Sequence, residues 1–442
     1  MPVEQVSEEN KAKAEAVKAE ANKLFAEKRF PDAIEKYTAA IELNPNVAAY
    51  YTNRAFCHLK LESYGYAISD AEAALEIDPA LTKANYRRAT ANMALGKFKE
   101  ALKDLKVVAK RAPADKDAQA KLNECTKIVK RIEFEKAIEA DDRIPSVAES
   151  LNPDTMTVEP SYDGPKINDE TKEIDEDFVN EMVERFKNQK KIHKKYAFMI
   201  ILAVRKMMLE APSLVDVKVP EDGLLTVCGD VHGQFYDFIN IFHTNGYPSP
   251  SHAYLFNGDF VDRGSFSVEV ILTLFAYKWL YPNRLYLARG NHETDNMNKV
   301  YGFEGEVKAK FSELMFKLFS ETFNALPLAH VIEHKILVVH GGLFSRDDVT
   351  LDDIRKINRL SHRQPPNEGL MCELLWSDPQ PELGRGASKR GVGIQFGPDV
   401  TKKFLEHNNL DMLIRSHEVK EEGYVIEHDG KCVTVFSAPN YW

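Results

Sequence analysis

Four short polar motifs in the second half of the chain carry the residue types of a metal site. They read Gly-Asp-Val-His-Gly at 229–233, Asn-Gly-Asp-Phe-Val-Asp-Arg-Gly at 257–264, Arg-Gly-Asn-His-Glu at 289–293 and His-Gly-Gly at 340–342. Asp, Asn and His offer oxygen and nitrogen ligands and no cysteine joins them, which favours Mn, Fe or Zn over a structural thiolate zinc site, with Mg as a further candidate. The neighbouring glycines allow the backbone to turn tightly and to approach a metal or a phosphate.

Each of these motifs follows a short apolar run that predicts a buried strand. The runs cover 224–228, 253–256, 284–288 and 335–339, and helical patterns separate the first three. This alternation predicts an α/β domain whose polar residues collect at the C-terminal ends of its strands. Two helices are predicted before it, over 176–192 and 196–210, and a further strand over 432–436. Histidines outside such motifs, including His193, His243, His330 and His334, are expected to be ordinary surface or core residues.

A repeat of 34 residues occupies the first part of the chain. Small residues at fixed places let two helices pack closely in each unit, and a proline after the second helix stops it. The period predicts three tetratricopeptide repeats and an amphipathic capping helix near 115–139, together covering 14–140, rather than a generic Ala-rich bundle. The spacing is shared by Pro45, Pro79 and Pro113, by Ala33, Ala67 and Ala101, and by Ala21, Ala55 and Ala89.

Polar residues on the first helix of each repeat fall at positions that line the concave groove of such a superhelix. The pattern resembles the carboxylate clamp of tetratricopeptide domains that bind the acidic C-terminus of the heat-shock protein 90 and 70 chaperones. A rigid cationic groove suits a terminal carboxylate and an Asp side chain. The alternative is that these are ordinary solvated helix residues. The six are Lys18, Asn22, Asn53, Lys60, Lys83 and Arg87.

Composition restricts the classes of partner. The net charge of −10 argues against nucleic acid as the main ligand, and no uninterrupted apolar stretch is long enough to span a membrane. The five cysteines are scattered and odd in number, which indicates free thiols in a reducing compartment. The expected location is the cytoplasm, with the nucleus as an alternative. Prolines punctuate an acidic stretch after the repeats, and this predicts a linker over 141–175 with little structure of its own.

The motifs together resemble a known family. Gly-Asp-x-His-Gly, Gly-Asp-x-x-Asp-Arg-Gly and Gly-Asn-His-Glu are those of calcineurin-like metallophosphoesterases. Longer stretches are similar to the protein serine/threonine phosphatases of the PPP family, and the N-terminal repeats to its tetratricopeptide-repeat members. These stretches are Asp259–Ser265, Leu375–Pro379, Arg390–Gly393, Arg415–Glu418 and Ser437–Tyr441.

The resemblance implies a role for each matching residue. Two divalent metals per subunit would activate a water as hydroxide. One metal would be held by Asp230, His232 and Asp259, and the other by Asp259, Asn291, His340 and His417. His292 would protonate the leaving seryl or threonyl oxygen, with Asp262 orienting it. Substrate phosphate would be bound by Arg263, Asn291, Arg390 and Tyr441.

The fold predicted is an all-α tetratricopeptide-repeat superhelix followed by an α/β metallophosphatase sandwich over 176–442. The function predicted is hydrolysis of phosphoserine and phosphothreonine, with the repeats docking chaperone tails and regulating the catalytic domain. A phosphodiesterase or nuclease of the same superfamily is a rival, but the longer phosphatase-type stretches disfavour it. Members of the family carry Cys after Asn-Tyr and continue for several tens of residues, whereas Trp442 follows here. We therefore expect an incomplete C-terminus, and a catalytically dead chaperone-bound scaffold is the alternative function.

Overall fold

A computed structural model of the chain describes residues 6–139, 146–168, 170–361, 364–439 and 441. Residue 140 of the predicted repeat domain, residues 141–145 of the predicted linker, Asn440 and Trp442 lie outside these ranges. The chain divides into two compact units. None of the helices in the described ranges is long and apolar enough to cross a membrane.

The described part of the first unit, up to residue 139, is helical. The second helix of each repeat has 14 residues and begins 34 residues after its predecessor, at Phe30, Tyr64 and Phe98. The repeated alanines are fully buried, and each proline follows two residues after a second helix ends. The helices are α1 Glu8–Ala26, α2 Phe30–Leu43, α3 Ala48–Lys60, α4 Tyr64–Ile77, α5 Thr82–Ala94, α6 Phe98–Arg111 and α7 Lys116–Glu139.

An ion pair recurs with the same period inside this unit. Arg54 of α3 forms a bidentate pair with Asp70 of α4, at 2.6 and 2.9 Å. Arg88 of α5 pairs in the same way with Asp104 of α6, at 2.8 and 2.9 Å, and both positions are 34 residues further on. The equivalent pair between α1 and α2 has its charges exchanged, since Lys36 binds Glu20 at 2.7 Å. Each pair joins the two helices of one repeat.

The second unit contains the described residues of 146–387 and 393–441. Its strands are β1 Leu214–Val217, β2 Leu224–Cys228, β3 His252–Phe256, β4 Leu285–Leu287, β5 Ala329–Ile332, β6 Ile336–Val339, β7 Asp378–Pro379, β8 Arg385–Ala387, β9 Ile394–Phe396, β10 Met412–Arg415, β11 Tyr424–Glu427 and β12 Cys432–Val435. Its α-helices are α8 Val147–Ser150, α9 Glu176–Lys187, α10 Lys194–Glu210, α11 Phe235–Asn245, α12 Ser267–Leu280, α13 Asp295–Tyr301, α14 Phe303–Lys310, α15 Glu313–Ala325, α16 Leu351–Arg355, α17 Leu370–Trp376 and α18 Pro398–His407. Two 3₁₀ helices cover Pro153–Thr155 and Arg359–Ser361.

These strands form a sandwich of two sheets between layers of helices. One sheet has the order β1-β5-β6-β10-β12-β11, the other is β2-β3-β4, and a small third sheet is β7-β9-β8. Side chains alternate as a doubly covered strand requires. In β3, Ala253 and Leu255 pack with Val338 of the facing sheet, whereas Tyr254 and Phe256 pack against the helices. The predicted fold class is therefore confirmed.

The ends of two predicted helices have local causes. The helix predicted over 176–192 ends at Lys187, because Gln189 adopts a left-handed conformation with φ 55° and the Lys190 N–H closes onto the Arg185 carbonyl. The next helix begins two residues before the predicted Tyr196, because the His193 side chain caps it by accepting from the Lys195 N–H.

The structure describes most of the segment predicted as a linker, 141–175. From residue 146 on, its described part has little regular structure but packs against the core of the second unit, through Val147, Leu151 and neighbouring apolar residues. The Glu321 carboxylate accepts from the Ser146 hydroxyl at 2.7 Å and from the Val147 N–H at 2.6 Å. These apolar and polar contacts hold the segment to the sandwich.

We expect the recurring ion pair to stabilise the repeats where it is buried. Asp70 is 7% exposed, and its replacement by Ala leaves the Arg54 guanidinium without its carboxylate. The expected cost is about 2–4 kcal/mol in the opening free energy of α3 and α4, measured by native-state hydrogen exchange. Glu20 is 59% exposed, so Glu20→Ala should cost less than about 1 kcal/mol. Equal costs for the two variants would contradict this account.

Candidate metal centre

The predicted metal ligands lie at the C-terminal ends of strands from both sheets. Asp230 and His232 follow β2, Asp259 follows β3, and Asn291 follows β4 in the smaller sheet, while His340 follows β6 and His417 follows β10 in the larger one. The ends of the two sheets are joined by a parallel bridge between Asp230 and Phe436. Strands of each group run parallel, so their ends meet at one edge of the sandwich.

Two of the histidines are held with a bare ring nitrogen towards the cluster. The Nδ1 of His232 lies 3.0 Å from the Val261 carbonyl oxygen, and the Nδ1 of His340 lies 2.7 Å from that of Asn257. A carbonyl oxygen only accepts, so each Nδ1 must carry the proton and donate it. The Nε2 of each ring is left with a lone pair, which is the form that binds a metal.

Lone pairs of several of these side chains converge. The Nε2 of His340 lies 2.9 Å from Asn291 Oδ1 and 3.3 Å from Asp259 Oδ2. The Nε2 of His232 lies 3.6 Å from the same Asp259 oxygen and 3.7 Å from Asp230 Oδ2. The donor atoms of Asp259, His340 and His417 all lie within 4.8 Å of one another. Such a set of acceptors favours bound cations, and it fits two divalent metals that share Asp259.

The electrostatics of the ligand residues agree with this fit. Burial, and then the neighbouring Asp259 carboxylate, raise the pKa of Asp230 to about 7. Burial lowers the pKa of His340, and burial followed by the charges of His292 and Arg263 lowers that of His232 well below its usual range. The Asp230 carboxylate therefore receives too little positive charge from the protein, and the two imidazoles stay neutral. Bound cations would supply the missing charge.

The loops that carry the ligands hold strained backbone. Left-handed φ values occur at His232 (43°), Asp259 (52°), Asp262 (73°) and His417 (72°), which are uncommon for such residues. Gly290 is needed for a different reason, since a Cβ there would lie 2.2 Å from Asp259 Oδ1. The motif residues are thus selected by backbone geometry as well as by ligand chemistry.

Glu293 fixes the two central loops relative to each other. Its buried carboxylate accepts from the backbone N–H groups of Asp259, Phe260 and Gly290, each at 2.8 Å. Burial, and then Asp259, raise its pKa to about 8. Arg289 is buried beside it and donates to the Glu293 carbonyl at 3.1 Å. Both residues support the loop and lie behind the ligands.

A second hydrogen-bonded group lies beside the ligands. The Nδ1 of His292 donates to Asp262 Oδ2 at 2.8 Å, and the same oxygen accepts from Asn298 Nδ2 at 3.0 Å. Asn298 also donates to the His292 carbonyl at 2.7 Å, so it holds both partners. Asn298 was not among the predicted site residues. Its spacing of six residues from His292 gives no signal until α13 turns it back.

Arg263 is stacked between two aromatic rings. Its guanidinium carbon lies 4.7 Å from the centre of the Tyr301 ring and 4.8 Å from that of Tyr441. Tyr441 also lies 5.2 Å from the His232 ring, which places Arg263 at the edge of the ligand cluster. Tyr301 was not predicted. Arg390 lies in the loop between β8 and β9, with its N–H donating to Ser388 Oγ, and its part in the site stays a prediction.

The predicted clamp residues lie on the first helix of each repeat, α1, α3 and α5. Asn53 Nδ2 donates to Asn22 Oδ1 at 3.4 Å, and that oxygen also accepts from the Tyr37 hydroxyl at 2.6 Å. Arg87 stacks on the Phe56 ring at 3.5 Å, with the Lys60 Nζ 5.4 Å from its centre. Phe56 was not predicted as part of this surface.

The other two clamp residues keep accessible charge. Lys18 pairs with Glu15 at 2.9 Å, and Lys83 is exposed. We call the surface formed by the six residues and Phe56 the repeat surface. It combines cations, amides and an aromatic ring.

The chain is similar to known proteins over most of its length. The family model of calcineurin-like phosphoesterases matches residues 224–421, and that of the PPP5 TPR repeat region matches 122–216. Serine/threonine-protein phosphatase T of Aspergillus oryzae is 58% identical over 97% of this chain and 89% of its own length. Serine/threonine-protein phosphatase 5 of Homo sapiens is 57% identical over 97% of this chain and 85% of its own length. A solved Saccharomyces cerevisiae protein serine/threonine phosphatase, described as similar to human phosphatase PP5, aligns with a TM-score of 0.59 and 48% identity, covering 61% of this chain and 85% of its own.

The shared position of Asp259 predicts that one substitution weakens both metal sites. Asp259→Asn removes a charge that faces His232 on one side and His340 on the other. We expect the metal content of the purified protein, measured by inductively coupled plasma mass spectrometry, to fall from about two ions per chain to well below one. Asp177→Asn, on the exposed side of α9, is the matched control and should keep the full content. Loss of only one ion would show that Asp259 is not shared.

Proposed function

Since the chain belongs to the serine/threonine protein phosphatases of the calcineurin-like phosphoesterase type that carry a tetratricopeptide-repeat region, we propose how its residues divide the work of phosphoester hydrolysis. The observation that carries the proposal is the convergence of buried carboxylate, amide and imidazole side chains at the common edge of the two sheets. The enzyme is a hydrolase, and its substrates are phosphoproteins.

The metals would be held as two sets that share one carboxylate. Asp230, His232 and Asp259 form the first set, and Asp259, Asn291, His340 and His417 the second. Two bound divalent metals, Mn, Fe or Zn with Mg as an alternative, would lower the pKa of a water and supply hydroxide at neutral pH. His232 and His340 are held in the tautomer that can bind a metal, because the Val261 and Asn257 carbonyls accept from their Nδ1–H groups.

Arg263 positions the substrate in this proposal. Its guanidinium lies between the rings of Tyr301 and Tyr441, so its N–H groups stay ordered and can donate two hydrogen bonds to a phosphate. Arg390 would bind a second phosphate oxygen, and Asn291 and Tyr441 would complete the phosphate contacts. Ordered donors favour the charge that develops on the phosphoryl oxygens.

His292 supplies the proton for the leaving seryl or threonyl oxygen. Its ring lies within the same 4.8 Å donor group as His232 and Asp259, so it could also serve as a ligand. We assign it to proton transfer because its Nδ1 is held by Asp262, which is itself held by Asn298 and by the Phe303 N–H at 3.0 Å. This series of hydrogen bonds orients the His292 ring with Nε2 directed away from Asp262.

An active enzyme fits better than an inactive scaffold. Named serine/threonine phosphatases match across 97% of the chain, and all six predicted metal ligands are present. The geometry that a scaffold would not need, such as the strained backbone of Asp259 and His417, is maintained.

Leaving-group dependence tests both the function and the role of His292. We expect His292→Asn to lower phosphoserine-peptide turnover by about two to four orders of magnitude, and turnover of an aryl phosphate much less, since an aryloxide departs without a proton. Metal content should be unchanged. Exposed His243→Asn is the control and should behave as the parent protein. A loss of metal, or equal losses on both substrates, would make His292 a ligand or a structural residue. Absence of metal-dependent turnover in the parent protein would refute the function.

We further propose that the repeat surface docks the acidic C-terminal tail of heat-shock protein 90, or of heat-shock protein 70, and that docking regulates phosphatase turnover. The Asn22–Asn53 pair and the cations Lys18, Lys83 and Arg87 suit a terminal carboxylate with an adjacent Asp. Phe56 adds an apolar platform. Such a partner, with the free buried cysteines, agrees with a reducing compartment, and we propose the cytoplasm and the nucleus.

Charge reversal tests this docking. Lys83→Glu with Arg87→Glu should weaken binding of a Met-Glu-Glu-Val-Asp peptide by about a hundredfold or more in calorimetry, because charged hydrogen bonds become repulsions. Lys106→Glu with Lys110→Glu makes the same charge change on exposed residues of α6 and should leave the affinity within about twofold. Amidation of the peptide terminus should also weaken binding to the parent protein. Equal affinity in both double variants would refute the clamp.

A further inference from the structure

A cavity of about 290 Å³ opens in the second unit, away from the residues assigned to the metals. It lies between the end of α10, the connection from α12 to β4, and strands β1 and β5. Most of its wall is apolar or backbone, and includes Met207, Met208, Val215 and Leu287. Two buried nitrogen-bearing side chains interrupt this wall.

The first is Lys278, near the end of α12, which is 9% exposed. Its Nζ donates to the Pro282 carbonyl at 2.6 Å and lies 5.4 Å from the centre of the Tyr286 ring. Among the described residues, no carboxylate lies within 4.0 Å of it. Burial alone lowers the pKa of this ammonium to about 8. The buried ammonium of Lys278 therefore contacts one carbonyl oxygen and one aromatic ring, and it has further N–H groups that can donate.

The second is His330 of β5, which is 1% exposed. Its Nδ1 is buried without a hydrogen-bond partner, and its ring lies 6.0 Å from that of Tyr286. Burial, and then the charge of Lys278, lower its pKa to about 3, so the ring is neutral and holds one N–H. An unmet buried polar group of this kind is costly to the folded state unless an occupant satisfies it.

We propose that this cavity binds a small carboxylate attached to an aromatic body. A carboxylate can accept from both Lys278 and His330, and its single negative charge matches the one ammonium. The two methionine side chains and the Tyr286 ring suit an aromatic body, because thioethers and rings both contact aromatic faces favourably. Glu210 at the exposed rim disfavours dianions. None of the residues in this argument takes part in the phosphatase proposal.

A matched pair of probes tests the proposal. 3-Phenylpropanoate and its neutral carboxamide have the same shape, so the site should bind the carboxylate about tenfold tighter or more, measured by calorimetry on the full chain with metals present. Lys278→Met keeps the length of the side chain and should abolish this preference. Lys206→Met removes an exposed lysine from α10 and should preserve it.

A second variant and an activity measurement distinguish loss of binding from loss of folding. Val215→Phe retains Lys278 and His330 but fills the cavity, so it should prevent binding of both probes. Phosphopeptide turnover, which uses other residues, reports whether each variant is folded. Failure of the parent protein to bind either probe, equal affinity for the two, or carboxylate binding that survives in Lys278→Met would each overturn the proposal while leaving the phosphatase function intact.

Discussion

The phosphatase unit depends on one constraint, which is that the lone pairs of several predicted metal ligands lie close together. Asp259 Oδ2 lies 3.6 Å from His232 Nε2 and 3.3 Å from His340 Nε2, and Asn291 Oδ1 lies 2.9 Å from His340 Nε2, all in a buried space. Burying so many acceptors together costs free energy. The surrounding structure holds these side chains in place. Backbone carbonyls accept hydrogen bonds from Nδ1 of His232 and of His340, and the Glu293 carboxylate accepts from three N–H groups of the two central loops. The sandwich supplies rigid strand ends from which these loops start.

Both sheets must be rigid, because the predicted metal ligands follow strands of both. The smaller sheet delivers Asp230, His232, Asp259 and Asn291, and the larger delivers His340 and His417. Residues such as Leu255 and Val338 interdigitate between them, so the spacing of the sheets sets the spacing of the ligands. Arg415 of the larger sheet adds a polar link to the small third sheet, since its buried guanidinium donates to the Gly341 carbonyl at 2.7 Å and to Asp378 Oδ1 of β7 at 2.8 Å. Core packing and metal geometry are therefore one constraint.

The sequence was informative where period and motif were strong. The 34-residue spacing predicted the repeated helices, and the apolar runs predicted β2, β3, β4, β6 and β12 to within one residue at each end. It could not predict partners that folding brings back from a helix. Asn298 and Tyr301 follow the Arg-Gly-Asn-His-Glu motif closely, but only the turn of α13 sets one against Asp262 and the other against Arg263. His330 illustrates the reverse case, because it has no motif and was expected to be ordinary, yet its Nδ1 is buried without a partner.

The exchanged charges of the first repeat have a consequence for the order in which helices associate. In the native pairing every contact joins opposite charges: Glu20 with Lys36, Arg54 with Asp70, and Arg88 with Asp104. If α1 packed against α4, Glu20 would meet Asp70, and if α3 packed against α2 in that role, Arg54 would meet Lys36. Helices built on one template and joined by short turns are prone to such exchanges. The reversed pair makes the first repeat repel the wrong partner, so it acts as a marker of chain order within an otherwise uniform array.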